Sequence, residues 1–224
     1  RQRQMCIRDR YIVIGSSATL SQEYRILNAD NPDGKFKIFQ ERVNGLEYSI
    51  SHFKDKWYIT TNKDGATNFK LMSCPENKTN SKNWKEYVPH RDDVLLEGVE
   101  VFNDFLVLTE RENGLRRVDI RPWSGKGRHY INFEEEAYSL YSSANPEMNT
   151  SKFRYSYSSM TTPNSVVEYD MISKDMKVLK ETEVLGGKFD KNNYQSKRVW
   201  AEARDGKKVP VSLVYRKDMF NEGQ

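Results

Sequence analysis

A chain of 224 residues, 37% hydrophobic and 30% charged, has room for one large domain or two small ones and is polar for its length. Its 36 basic and 32 acidic residues leave a net charge of +4, with the signs interspersed beyond the first ten positions, which excludes the basic stripe of a nucleic-acid binder. No apolar run approaches the roughly 18 residues of a membrane helix, and Cys6 and Cys74 form neither a metal-ligand pair nor a disulfide framework.

The first ten residues, RQRQMCIRDR, carry Arg1, Arg3, Arg8 and Arg10 and no apolar core, so they are not a signal peptide. Two readings stay open for 1–10: sequence foreign to the protein, or a disordered basic arm. From Tyr11 onward short strands dominate. YIVIGSSATL (Tyr11–Leu20) opens on an apolar run. After the turn Asn31-Pro32-Asp33-Gly34, KFKIFQE (Lys35–Glu41) alternates Phe36 and Ile38 with polar neighbours. EYSISHF, KWYITTN and NFKLMSC follow, separated by turns at Lys54–Lys56 and Lys63–Thr67. Strands this short and evenly spaced predict a sandwich, barrel or propeller. Aromatic residues, 12% of the chain, favour sheet further. One segment reads as helix: SKNWKEY (Ser81–Tyr87), with Ser81 as the N-cap.

A repeat decides among the all-β architectures. Phe53–Met72 parallels Phe102–Ile120: Phe53 matches Phe102, Asp55 matches Asp104, Ile59 matches Leu108 and Thr60 matches Thr109, at an offset of 49. A weaker third copy lies at Ser151–Met171. A repeat of about 40–50 residues, each unit reading strand, turn, strand, turn, strand, is the mark of a propeller blade.

The candidate sites are modest. His52, His90 and His129 lie on separate segments with nothing to converge them on a metal. The acidic run Glu134, Glu135 and Glu136 would steer basic peptides, or is a solvated loop between blades. Ser158, Ser159, Thr161 and Thr162 have no neighbouring base and read as turn hydroxyls. Gly186, Gly187, Asp190, Asn192 and Asn193 make a hinge between domains, or an ordinary ordered crossover. Beyond them, Arg204-Asp205-Gly206 turns a hairpin whose second strand alternates Val209, Val211, Leu213 and Tyr215.

These stretches resemble a known family. TNKDGATNFKLM (Thr61–Met72), PHRDDVLLEGVEVFNDFLVLTERENGL (Pro89–Leu115), RPWSG (Arg121–Gly125), YSSMTTPNSVVEYDM (Tyr157–Met171), VLGGKFDKNNY (Val184–Tyr194) and RVWAEARDGKKVPVSLVYRK (Arg198–Lys217) are similar to the prolyl oligopeptidase family of serine peptidases, and within it to oligopeptidase B. The resemblance implies an all-β, partial β-propeller over 11–185, three to four blades of a seven-bladed ring, a connection at 186–198, and at 199–224 the first hairpin of an α/β-hydrolase peptidase domain. It implies for the whole enzyme the cleavage of short basic peptides after Arg or Lys, with the propeller admitting substrate by size, in the cytoplasm or the periplasm. The expected partners are such peptides, the peptidase domain and the remaining blades, with no cofactor, metal, nucleic acid or membrane.

The chain departs from the family pattern in holding no G-x-S-x-G nucleophile elbow, so the triad is expected beyond residue 224 and these 224 residues are expected to be inert. Two rivals are a free-standing propeller scaffold that binds a partner protein, and a proline-specific peptidase of the same family.

Overall fold

The computed structural model describes residues 3–4, 10–187 and 189–221. The expectation for 1–10 falls mostly outside them; Arg3 and Gln4 pair with Ile14 and Val13. Among the described residues there are 18 strands and four single-turn 3-10 helices.

Sixteen strands form four antiparallel four-stranded sheets in chain order. The first holds β1 (Arg3–Gln4), β2 (Tyr11–Ala18), β3 (Ser21–Asn28) and β4 (Lys37–Ile38). The second holds β5 (Tyr48–Phe53), β6 (Lys56–Thr61), β7 (Lys70–Pro75) and β8 (Lys85–Val88). The third holds β9 (Val94–Val101), β10 (Phe105–Glu112), β11 (Leu115–Pro122) and β12 (His129–Tyr130). The fourth holds β13 (Tyr138–Ser142), β14 (Lys152–Ser159), β15 (Ser165–Asp170) and β16 (Met176–Glu181). A separate hairpin pairs β17 (Tyr194–Glu202) with β18 (Lys208–Arg216). The meander of four strands, repeated, is the blade of a β-propeller, so the partial propeller expected from the repeat is present.

The repeat register is visible in the core. Second strands begin at residues 11, 56, 105 and 152, and the matched residues Ile59 and Leu108 are both fully buried. β6 shows why Trp57, Tyr58 and Ile59 follow one another without a polar residue between them. Trp57 and Ile59 enter one core cluster with Ile26, Phe39 and Met72, while the intervening Tyr58 enters another with Leu71, Leu106 and Leu108. Neighbours along a strand point to opposite faces, so a sheet covered on both faces needs apolar residues at consecutive positions.

Two local expectations are corrected. Ser81–Tyr87 is not a helix: Ser81–Asn83 make one 3-10 turn, capped by the Asn80 side chain, which accepts the Lys82 N–H at 3.1 Å. The chain then enters β8, where Val88 pairs with Leu71. Trp84 belongs to the first cluster and Val88 to the second, on opposite sides of the sheet, and no single helix face could deliver both. In Lys35–Glu41 only Lys37–Ile38 are paired; Phe36 and Ile38 are exposed and Phe39 is the buried ring. The Phe39 N–H bonds Tyr24 O at 2.8 Å, which turns that ring inward instead.

The chain divides into two compact units. The larger holds the first two sheets and most of the third; the smaller holds the fourth sheet, the β17–β18 hairpin and the tip Gly114–Arg117. In the smaller unit β14 alternates cleanly, with Phe153 and Tyr155 buried and Lys152 and Arg154 exposed.

Candidate functional site

The strongest concentration of polar chemistry in the smaller unit is the acidic loop before β13. Phe133 anchors it, stacking on Tyr157 at 5.4 Å and packing against Tyr138 at 4.7 Å. With the ring fixed, the next residues cannot all face solvent. Glu135 turns inward and receives four hydroxyls. Its Oε1 accepts from Ser159 at 2.5 Å and from Thr161; its Oε2 accepts from Tyr157 at 2.7 Å and Thr162 at 3.0 Å. Ser159 Oγ in turn accepts the backbone N–H groups of Thr161 and Thr162, at 3.0 and 2.8 Å, so the β14–β15 turn and the carboxylate form one network. Burial would raise the pKa of Glu135, but the hydroxyls of Ser159, Thr161, Tyr157 and Thr162 outweigh it and hold the carboxyl below the ordinary glutamate value. Burial first, then the hydrogen bond to Glu135 and its charge, pushes the Tyr157 phenol well above its usual value, so it remains a donor.

The other two glutamates diverge. Glu134 is exposed. Glu136 Oε2 accepts the backbone N–H of Arg198, in β17, at 2.8 Å. The Arg198 guanidinium lies over the Trp200 ring at 5.3 Å, and its Nη2 would stand 3.1 Å from a Cβ at Gly114. Gly114, at φ +79°, occupies the tight β10–β11 turn, where the left-handed backbone favours glycine. Tyr138 donates to Arg116 O at 2.8 Å, and Arg117 lies over Tyr130 at 4.0 Å.

The five residues of the expected hinge fall into two behaviours. A Cβ at Gly186 or Gly187 would meet nothing within 4 Å, and Gly186 has φ +91°. Asp190, by contrast, caps the turn Lys191–Asn193 by accepting the Asn192 N–H at 2.9 Å, and Phe189 stacks on Tyr194 at 5.7 Å. β17 begins at Tyr194, inside the segment assigned to the connection.

The histidines serve locally. His52 is buried, with Nε2 3.4 Å from Glu76 and its ring against Tyr11 and Trp57. His90 Nε2 accepts the Asn68 N–H at 3.2 Å, and His129 Nδ1 contacts Gly127 O at 2.9 Å. Among the described residues no three His, Cys, Asp or Glu side chains converge as metal ligands.

The acidic run, the hydroxyl stretch and the segment leading into the hairpin, read separately in the sequence, therefore meet around Glu135 and Glu136. Arg198, Tyr157 and Gly114 escaped sequence reading. Tyr157 continues the Phe153-Tyr155 alternation and looks like core, and Arg198 looks like a solvated charge; Asn113-Gly114 alone signalled a tight turn.

Comparison with known proteins accounts for the blades. Residues 4–182 match the family model for the N-terminal β-propeller domain of prolyl oligopeptidase. The chain is 44% identical over 217 residues to dipeptidyl aminopeptidase BI of Pseudoxanthomonas mexicana, covering 96% of this chain and 30% of that protein. Among solved structures it superposes on oligopeptidase B of Leishmania major with a TM-score of 0.84 at 28% identity, covering 98% of this chain and 32% of the other. It superposes on oligopeptidase B of Trypanosoma brucei, solved in closed form with covalently bound antipain, with a TM-score of 0.82 at 30% identity, over 94% of this chain and 31% of the other. The chain thus spans about a third of the length of the proteins it matches. The four-sheet meander, the repeat of Phe53–Met72 in Phe102–Ile120 and the match across 4–182 have one source: the chain belongs to the prolyl oligopeptidase family of peptidases and carries part of its β-propeller.

Proposed function

We propose that the whole protein is a serine oligopeptidase that cleaves short peptides on the C-terminal side of Arg or Lys, and that this propeller excludes folded proteins by size. The observation that carries the reading is the superposition on two oligopeptidase B structures over nearly the whole chain, at identities of 28% and 30%. The chemistry would be acyl transfer through a serine ester, with nucleophile, base and oxyanion donors supplied by sequence other than these residues. The contribution of the propeller is access and field. Glu134 faces solvent, and Glu135, although ringed by hydroxyls, keeps its charge at neutral pH because neutral donors do not cancel it. The acidic loop therefore supplies negative potential to attract a basic peptide.

The identity of 44% to a dipeptidyl aminopeptidase favours a second reading, removal of dipeptides from a free amino terminus. Amide substrates separate the two. The whole protein, assayed with an N-blocked arginyl amide, an unblocked dipeptidyl amide and an N-blocked prolyl amide, should cleave the first at least about tenfold faster than the third, about 1.4 kcal/mol of transition-state preference. Serine-directed inhibitors should abolish turnover. Cleavage of the unblocked dipeptidyl substrate alone would replace the proposal by the second reading, and preference for the prolyl amide would overturn both.

A further inference from the structure

One glutamate of the acidic loop bonds the middle of the first strand of the β17–β18 hairpin. Four observations in the smaller unit bear on this. Glu135 is fixed by hydroxyls from β14 and the β14–β15 turn, so the residue after it has a defined position. That residue, Glu136, accepts the Arg198 N–H. The Arg198 side chain reaches Gly114 at the tip of the β10–β11 turn, where a Cβ would stand 3.1 Å from its Nη2. On the other side of the linker, the fourth sheet ends where the Thr182 N–H bonds Asn164 O at 2.9 Å. Between these two anchor points, 183–187 are exposed and a Cβ at either glycine would meet nothing within 4 Å.

We infer that Glu136, Arg198 and Gly114 form a clasp that fastens β17 to the propeller and confines bending of the connection to the residues between Thr182 and Arg198. Glu135 is the mount of the clasp. Its hydroxyl network transmits the position of β14 to Glu136, so the acidic run has a mechanical role beside any effect of its charge. The linker then behaves as a tethered loop with both ends held, and whatever follows β18 is oriented by the clasp and not by the linker. The clasp does not depend on the proposed substrate class, since each contact lies within the described chain.

The Arg198 amide reports on it directly. Because that N–H is given to Glu136, it points out of the β17–β18 ladder, and its protection from exchange comes from the clasp. In the 224-residue chain, Glu136→Ala should accelerate exchange at Arg198 roughly tenfold or more, as the loss of a hydrogen bond to a charged acceptor implies, whereas ladder amides of β18 stay protected. Glu136→Gln keeps an acceptor oxygen and should retain most of the protection. Spin labels at Ser173→Cys and Asp205→Cys, in a Cys6→Ser background, should give a narrow distance distribution that broadens in a Glu136→Ala, Arg198→Ala double variant, with far-UV circular dichroism unchanged. Exchange at Arg198 equally fast with and without Glu136, or a distribution as broad before the substitutions as after, would overturn the clasp.

Discussion

Replacing Glu135 tests the network on which the acidic loop depends. Glu135→Ala leaves the hydroxyls of Tyr157, Ser159, Thr161 and Thr162 without their shared acceptor. A hydrogen bond to a charged group contributes about 1.5–3 kcal/mol when well buried. The carboxylate here is only half-buried, and water can replace part of each bond, so about 0.5–1 kcal/mol per hydroxyl is the reasonable scale, or about 2–4 kcal/mol for the four. Glu135→Gln is the informative control. Ser159 and Thr161 share Oε1, so an amide oxygen placed there keeps accepting both hydroxyls, and the cost should fall to about 1–2 kcal/mol. The dependence on pH has a definite sign. The folded carboxyl titrates below its unfolded value of about 4.3, so its stabilisation is complete above that pH and is lost as pH falls through the lower folded value. Glu135→Gln should flatten that acid limb. Because the chain has two compact units, a single global melt is a poor reporter; hydrogen exchange at β14 and β15 amides as a function of denaturant reads the fourth sheet by itself. A loss below about 0.5 kcal/mol in Glu135→Ala, or equal losses in the Ala and Gln variants, would refute the account.

Two further outcomes follow from the core. Leu108→Ala and Ile59→Ala, at matched positions of the repeat and both fully buried, should each cost about 2–5 kcal/mol in urea unfolding of the larger unit; a cost below about 1 kcal/mol at either would show that the repeat is not a packing repeat. Burial pushes the Cys74 thiol up to about 12, so it should resist alkylation by iodoacetamide at pH 8 until the protein unfolds; modification of folded protein at the rate of a free thiol would contradict its burial.

Much of the architecture is legible in the chain because a propeller blade repeats its hydrophobic period. Phe53, Ile59 and their counterparts Phe102 and Leu108 recur 49 residues apart, and tight turns at Asp55 and Asp104 mark the same corner twice. Those are local signals: alternation places side chains on faces, and a repeat needs only self-comparison. The strand Lys85–Val88 was hidden for the opposite reason. Trp84 and Val88, four apart, satisfy a helix pattern as well as a sheet edge, and only the two clusters on either side of β7 decide which is made. The acidic loop was visible as charge and nothing more. Ser159, Thr161 and Thr162 converge on Glu135 from 24 to 27 residues away, and Arg198 reaches Glu136 from 62 residues away. Composition and order carry the blades, since each strand is specified by its neighbours in sequence. Which carboxylate meets which hydroxyl or amide depends on how separate strands are stacked and turned, and that is settled only when the sheets pack.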